Sequence, residues 1–321
     1  MADCSHLGYN TALLMKPKAW LALIAVYIVW GSTYLAIRFV VESIPPFFSA
    51  AARFLVSGAI LYVWMRLAGN PAPTRRQWAS AAVVGLFLLM GGNGSVVWAE
   101  QRIPSGVAAL FIGATPLWMV LIDSLRPGGR NPGWLIWTGV LVGFGGIALL
   151  AAPWESGSAG SLEPLGSAAL LFAALSWSIG SLYSRTASLP EAPLMATGAE
   201  MLMGSLGLFV ASGLAGEWGR LDLAAVTPRA WWGLAYLVSF GSLVGFVAYT
   251  WLLRNAPTPI VATYAYVNPV VAILMGSLLG QETITPRMLV SAAIIIGAVV
   301  LINLAEVFSG RTPEKQEASQ N

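Results

Sequence analysis

The chain has 321 residues, of which 57% are hydrophobic and only 10% are charged. Because soluble globular proteins carry about 25% charged residues, this composition excludes a soluble globular domain and predicts an integral membrane protein. A single cysteine, Cys4, and a single histidine, His6, exclude a disulfide framework, a multi-cysteine metal site and histidine chemistry in the membrane portion. The basic residues are scattered and the net charge is only +3, so we expect no nucleic-acid partner, and no cofactor or metal.

Ten apolar segments are long enough to cross a bilayer, which needs about 20 residues of helix. In chain order their predicted limits are 20–41, 46–68, 77–98, 104–125, 132–151, 164–184, 193–213, 230–253, 257–280 and 286–306. In lipid each segment must satisfy its own backbone polar groups, which favours helices. The sequence therefore predicts an all-α integral membrane protein with ten transmembrane helices, and the lipid bilayer is a partner.

The distribution of basic residues predicts the orientation of these helices. Lysine and arginine concentrate in short cytoplasmic loops. If the N-terminus is cytoplasmic, eleven basic residues fall on the inner side and five on the outer side. We therefore expect both termini in the cytoplasm.

The second half of the chain repeats the first. WGSTYLAIR at 30–38 and WSIGSLYSR at 177–185 share the spacing of tryptophan and arginine, at an offset of 147. Pro104 and Pro116 match Pro257 and Pro269 at an offset of 153. Each copy holds five helices, an odd number, so the second copy enters the membrane from the opposite side. Such inverted repeats are typical of secondary transporters, whose substrate site lies near the midplane between the copies.

These repeats divide the chain into five regions. They are an N-terminal cytoplasmic tail, a first repeat, an outer linker, a second repeat and a C-terminal cytoplasmic tail, at 1–19, 20–151, 152–163, 164–306 and 307–321.

Polar and aromatic residues within otherwise apolar helices are the candidates for substrate contact, since they indicate a wet cavity rather than lipid. On helix 3, Asn93, Val97 and Glu100 share a face that reaches the outer rim. Aromatic residues in membrane helices also pack against one another, so packing is the alternative for each residue. The predicted substrate-binding set is Trp30, Tyr34, Asn93, Trp177, Tyr249, Tyr264 and Asn268.

Two prolines lie near the middle of helices 4 and 9. Pro116 and Pro269 each remove one intrahelical hydrogen bond and are expected to kink the helix, freeing the carbonyls of Ile112 and Ala265. Thr115 adds a polar group directly before the first kink. We predict a binding or gating role for Thr115, Pro116 and Pro269; the alternative is a kink that serves packing alone.

Two charged residues are embedded at equivalent places in the repeats. Arg53 on helix 2 and Glu200 on helix 7 each follow a helix-starting proline by seven residues. A charge at the bilayer centre costs about 2.5–3.5 kcal/mol on insertion scales, so each needs a polar partner or a path to water. Glu200 is either a carrier of protons or substrate, or, as we favour, structural like Arg53.

Several motifs together resemble the drug/metabolite transporter superfamily, in its EamA-type ten-helix branch. They are WGSTYLAIR, PPFFSAAARF, GNGSVVWAEQRIPSGVAAL, TYAYVNPVVA and GQE, and the resemblance covers nearly all of 20–306. It implies two inverted five-helix EamA repeats, a bacterial-type inner (plasma) membrane and the export of small metabolites. Amino acids are a leading substrate class in this branch, including aromatic and neutral ones.

The leading hypothesis is thus a secondary transporter that exports amino acids with broad specificity by alternating access, with a monomer as the expected assembly state. Efflux of drugs, sugars or nucleotide precursors is the alternative within the transporter class. A channel is another alternative, although duplicated kinks favour alternating access. An intramembrane enzyme would need a nucleophile with its base, a metal cluster or a carboxylate dyad, and the sequence offers none, so we predict that the chain is not an enzyme.

Overall fold

The computed structural model describes residues 17–126, 132–151, 162–256 and 258–308, and these ranges contain helices and no strands. The predicted ten helices are present in the predicted order. They are α1 Pro17–Val41, α2 Pro46–Leu67, α3 Arg75–Ala99, α4 Ser105–Leu125, α5 Trp134–Ala151, α6 Pro164–Ser184, α7 Pro193–Leu214, α8 Pro228–Asn255, α9 Tyr264–Gly280 and α10 Pro286–Phe308.

The all-α membrane fold predicted from hydropathy is confirmed. Within the described ranges nine of the helices are long and apolar enough to span a bilayer, and α9, with 17 residues, is shorter. The predicted helix 9 begins at 257, whereas the structure has a one-turn helix, Thr258–Val261, and a turn before α9. Most of the predicted tails and of the predicted linker lies outside the described residues, while 17–19 belong to α1 and 307–308 to α10.

Helices of one repeat pack against helices of the other in a reciprocal pattern. The first helix of the first repeat, α1, packs against α8 and α9, and the first helix of the second repeat, α6, packs against α3 and α4. The counterparts α2 and α7, α4 and α9, and α5 and α10 also pack directly together. The two repeats therefore form one bundle and not two separate domains. We call the end of the bundle where α1 begins the near end and the opposite end the far end.

Glycines set the closest of these helix approaches. A β-carbon on Gly58 of α2 would lie 3.0 Å from the Gly198 carbonyl oxygen of α7. A β-carbon on Gly139 of α5 would lie 2.7 Å from Ile302 of α10. Small residues let membrane helices pack backbone to backbone, because lipid supplies no hydrophobic force to drive larger side chains together.

Two helices contain a stretch of wider π-helix near their middle. The segment Leu86–Gly94 interrupts α3 and the segment Leu237–Val244 interrupts α8. At the repeat offset of 153 the second segment corresponds to residues 84–91, so the two overlap in the aligned repeats. A π-helix displaces the regular carbonyl register and is frequent at functional sites.

The N-terminus of α2, at the far end, receives its cap from the other repeat. Pro45 precedes the helix and makes no side-chain capping bond. Glu217, in the connection after α7, instead accepts hydrogen bonds from the backbone N–H groups of Phe47 and Phe48 at 3.3 and 2.9 Å. Its side chain is only 1% exposed, and a carboxylate at a helix N-terminus is favoured by the helix dipole.

The N-terminus of α4, also at the far end, is capped in the same way. Pro104 precedes it, and Glu282, after α9, accepts from the N–H groups of Ser105 and Gly106 at 2.8 and 3.2 Å. In both caps, a helix of the first repeat is capped by a glutamate that follows its counterpart helix in the second repeat. The position that corresponds to Glu217 in the first repeat is Asn70, whose side chain donates to the Met65 carbonyl oxygen at the end of α2 and caps no helix N-terminus among the described residues.

The predicted orientation can be tested at two exposed loop positions. In a Cys4→Ser background, Ala224→Cys at the far end is expected to react with a membrane-impermeant maleimide added to intact cells. Ala72→Cys at the near end is expected to react only after the cells are permeabilised. The neighbouring Arg75 and Arg76 predict that its loop is cytoplasmic, where the reagent cannot reach it in intact cells. The reverse labelling pattern would overturn the prediction that both termini are cytoplasmic.

Candidate functional site

Three of the predicted substrate-binding residues form one aromatic cluster at the junction of α1, α8 and α9. The ring of Trp30 lies 5.0 Å from that of Tyr249 and 5.2 Å from that of Tyr264, between centroids. The two tyrosine rings are 5.6 Å apart, edge to face. Phe246, one turn before Tyr249, completes the cluster at 5.3 Å from Trp30. Edge-on aromatic pairs of this kind contribute about 0.5–1.5 kcal/mol each beyond area burial.

The π-helical segment of α8 holds the Trp30 ring in place. The indole N–H of Trp30 donates to the carbonyl oxygen of Gly241 at 3.2 Å, within that segment. Gly245 has no side chain to oppose this approach, since a β-carbon there would collide with the indole nitrogen. Trp30 is thus fixed by a backbone group that regular helix would have used internally.

Trp177, the repeat counterpart of Trp30, takes the matching position on α6 against α3. Its ring packs on Gly92, where a β-carbon would lie 2.9 Å from the indole. The neighbouring Ser176 donates to the Phe87 carbonyl oxygen at 2.7 Å, within the π-helical segment of α3. The structure therefore places Trp177 beside α3, whereas Trp30 lies beside α8.

The two predicted amides are buried with free acceptor atoms. Among the described residues, the side-chain oxygens of Asn93 and Asn268 have no hydrogen-bond donor. Asn268 lies on α9 where that helix approaches Gly31 of α1, one residue after Trp30. A buried amide oxygen without a donor is costly, so it favours a ligand or water that supplies one.

Tyr34 lies one turn beyond Trp30 toward the far end. Its hydroxyl is within electrostatic reach of both Tyr264 and Glu100. It therefore connects the aromatic cluster with the far end of α3.

The predicted kink at Pro116 is present. The helix breaks at Ala114, and a new helical segment begins at Thr115. The Thr115 hydroxyl donates to the Ile112 carbonyl oxygen at 2.6 Å, so it satisfies the group that the proline frees. Ser178 of α6 adds a bond to the Thr115 carbonyl oxygen at 3.1 Å.

The helix is continuous at Pro269, where the sequence predicts a kink, and an interruption lies nearer its start. Pro269 lies inside α9, and the interruption comes earlier, at Ala262 and Thr263. There the Thr263 hydroxyl donates to the Ile260 carbonyl oxygen, as Thr115 does in the first repeat. The ring of Pro269 instead packs on Gly113, where a β-carbon would lie 2.8 Å from it.

The two embedded charges occupy different surroundings. Arg53 is 5% exposed and donates from Nε to the Ser242 hydroxyl at 2.9 Å, in the π-helical segment of α8. It also lines a cavity of about 10 Å³, close to the room that one water molecule needs. Glu200 is half-buried and has no hydrogen-bond partner in the part of the chain that the structure describes. At the repeat offset, the counterpart of Ser242 is Leu89, which offers it no polar group.

Two features of this site were not predicted from the sequence. They are the two π-helical segments and the hydroxyl bonds from α6. The glycines in GLFLLMGGNG and in LVSFGSLVG are the signal that could have located the segments, since each lets a side chain of the partner helix reach backbone carbonyls.

The fit of Trp177 on α3 predicts opposite effects for two glycine substitutions. Gly92→Ala is expected to lower the thermal unfolding temperature in detergent, because its β-carbon would enter the indole ring and overpacking costs about 1–3 kcal/mol. Gly145→Ala on α5 is the matched control, as nothing lies within 4 Å of its β-carbon. It is expected to raise stability by up to about 1 kcal/mol through helix propensity alone. Equal shifts in both variants would contradict the packing of Trp177 on Gly92.

Comparison with known proteins agrees with this architecture. The chain is 40% identical over 286 residues to the uncharacterized inner membrane transporter YedA of Escherichia coli K12, covering 89% of this chain and 90% of that protein. It is 27% identical to protein PecM of Dickeya dadantii, covering 89% and 93% of the two chains. A solved crystal structure superposes with a TM-score of 0.60 at 23% identity, covering 89% of this chain and 96% of that one, which shows a shared fold.

The match to a family model has the same division as the repeat. The model of the EamA-like transporter family matches residues 17–152 and again 164–304. The two matched ranges contain α1–α5 and α6–α10. The chain therefore belongs to the EamA-like transporter family of the drug/metabolite transporter superfamily, as a multi-pass membrane protein built from two EamA repeats.

Proposed function

We propose that the chain exports amino acids with neutral and aromatic side chains, by alternating access through a central cavity between the repeats. Similar proteins are named as transporters, which agrees with the expectation that the chain is not an enzyme. The substrate class is supported by the chemistry of the junction between α1, α8 and α9.

The observation that carries the proposal is an aromatic wall beside an unsatisfied amide. Trp30, Tyr249 and Tyr264 form the wall, and Asn268 has a buried oxygen with no donor among the described residues. An amide suits a zwitterion, because its oxygen accepts from an ammonium group and its NH₂ donates to a carboxylate. Aromatic rings accept apolar side chains of different shapes, and their faces also attract the ammonium group.

The reciprocal packing of the repeats supports alternating access. The structure pairs α1 with α8 and α9, and α6 with α3 and α4. A motion of α1 against α8 and α9 would therefore have an equivalent of inverted direction in a motion of α6 against α3 and α4. In this proposal Thr115, Pro116 and the turn at Thr263 are the flexible points, and Pro269 is a packing residue. We propose a location in a bacterial-type inner membrane, cytoplasmic termini and a monomeric transport unit.

Efflux of drugs, sugars or nucleotide precursors is the competing function. An aromatic wall also fits planar drugs, whereas a sugar would need more hydroxyl and amide partners than this junction supplies. Uptake of labelled amino acids, of ethidium and of labelled hexose into inverted vesicles separates the three substrate classes.

Replacement of Asn268 tests the proposed binding site. Asn268→Ala is expected to lower leucine transport into inverted vesicles at least about tenfold at subsaturating substrate, since one lost hydrogen bond to a charged group is worth about 1.5–3 kcal/mol. Asn303→Ala on α10 is the matched control, because its amide bonds to Val299 of its own helix. Membrane amounts of both variants are measured on immunoblots. Full transport by the Asn268 variant would make that residue a packing residue.

The breadth of the site gives a second prediction for transport. Apolar pockets discriminate by about 1–3 kcal/mol per methylene, so threonine, methionine and phenylalanine should be accepted within about two orders of magnitude of one another. Unlabelled amino acids are added in competition with labelled phenylalanine, and half-inhibitory concentrations are compared. Competition by one amino acid alone would show a fixed side-chain partner and contradict the proposed broad specificity.

A further inference from the structure

The far end of α3 carries a completely buried carboxyl group that has no hydrogen-bond partner. Glu100 follows the last residue of α3 and is 0% exposed. Among the described residues, neither oxygen of its side chain accepts a hydrogen bond. The guanidinium of Arg38 donates to the backbone carbonyl of Glu100, so the arginine fixes the chain at this point and leaves the carboxyl oxygens unbonded.

Glu282 is a neighbour of like sign. Its side-chain oxygens accept from two backbone N–H groups at the start of α4, and it repels a negative charge on Glu100. Ser105, which Glu282 caps, is also fully buried and its hydroxyl has no partner among the described residues. The site therefore contains one carboxyl group that caps a helix, one carboxyl group without a bond and one hydroxyl without a bond.

The other charged groups of the surrounding elements make bonds of their own. On α2, Arg53 donates from Nε to Ser242, while its Nη1 has no partner among the described residues. At the start of α6, Glu163 accepts from the N–H of Gly166. Arg102, two residues after Glu100, stacks on the ring of Trp98 at 4.2 Å. Among the described residues, Arg38 is the cation that attracts a negative charge on Glu100, and Tyr34 of α1 is within electrostatic range of it.

An ionised carboxylate is disfavoured in these surroundings. Burying a charge without hydrogen bonds is costly enough that the group takes up a proton instead. Burial raises the pKa of the Glu100 carboxyl well above its usual range, repulsion from Glu282 adds to the rise, and Arg38 opposes it. Once hydrated, the same carboxyl would return to the ordinary pKa of about 4.3.

We propose that Glu100 is a proton-binding residue whose protonation closes the far end of the transport path and whose ionisation opens it. Closing takes one proton from water onto a Glu100 carboxylate oxygen, and opening returns that proton to water. Tyr34 is within electrostatic range both of Glu100 and of Tyr264 in the aromatic cluster, so one side chain is common to the surroundings of the proton site and the proposed substrate site. The proposal rests on alternating access but not on the identity of the substrate.

The sign of the pH dependence follows from the two pKa values of Glu100. The closed state binds more protons, so it is favoured at low pH. Its advantage falls as pH rises from the hydrated pKa to the raised pKa, by up to tenfold in the closed-to-open ratio per pH unit for one proton. Above the raised pKa the ratio stops changing.

A cysteine at the buried far end measures this equilibrium without any substrate. Ser105→Cys is introduced with Cys4→Ser, and the purified protein is placed in lipid nanodiscs, where both faces are accessible. Its rate of reaction with a polyethylene-glycol maleimide is divided by that of the exposed Ala224→Cys, which removes the intrinsic effect of pH on thiols. We expect the ratio to rise with pH, by up to tenfold per unit.

A neutral replacement of the carboxyl should abolish that dependence. Glu100→Gln, and Glu100→Met if the amide does not fold, are expected to keep the low ratio of acidic pH throughout. Glu42→Gln, at an exposed far-end position, is the matched control and should retain the native response. A native protein with no pH response, or one that Glu100→Gln and Glu100→Met leave intact, would overturn the proposal. Failure of amino-acid transport would leave the labelling result unchanged and would count against the proposed substrate alone.

Discussion

The backbone groups that leave regular helical bonding inside the membrane govern the arrangement of the neighbouring helices. Lipid offers no hydrogen bonds, so every loosened carbonyl must find a donor within the protein. The Ile112 carbonyl finds Thr115, the Phe87 carbonyl finds Ser176 and the Gly241 carbonyl finds Trp30. The last two donors belong to α6 and α1, the first helices of the two repeats. The irregular segments of α3 and α8 are therefore also the places where the two repeats bond to each other.

The inverted repeat is symmetric in packing and asymmetric in polar chemistry. Both tryptophans face a π-helical segment, and both repeats loosen a turn at a threonine. By contrast, Arg53 reaches a hydroxyl of α8, whereas Glu200 faces a region where the counterpart of that hydroxyl is Leu89. The glutamate caps that cross between repeats are also at the far end, with Asn70 in the corresponding place of the near end. At this pair of positions the two ends of the bundle therefore differ in how a helix start is capped.

Hydropathy was sufficient to predict the ten helices, because length and apolarity decide which segments cross a bilayer. Helix faces named Trp30, Tyr249 and Tyr264 as candidates, and the structure brings their three rings together. Phe246 shares a helix face with Tyr249 in the sequence, but its contact with Trp30 depends on how α8 packs against α1. The break in the second repeat was assigned to Pro269, since proline is the strongest local signal, yet a threonine hydroxyl before it supports the interruption.

The glutamate caps could not be predicted, because local sequence does not show which connection reaches which helix start. Pro45 and Pro104 indicate only that α2 and α4 lack a capping side chain of their own. Glu217 and Glu282 are more than 160 residues away in the chain, and only the packing of α2 with α7 and of α4 with α9 brings them into place. The same limit applies to Glu100, whose sequence position at a helix end suggested exposure to water at the rim.

The crossing caps have a consequence for the order in which the protein is made. A ribosome completes α2 and α4 long before it reaches Glu217 and Glu282, so the first five helices enter the membrane with two helix ends open to interfacial water. Those ends close only when the second half arrives. A chain of five helices alone would leave them to water, unless a second copy in the opposite orientation supplied the caps. Because one polypeptide carries both halves, the capping is intramolecular, and the two halves can carry different residues at their two ends.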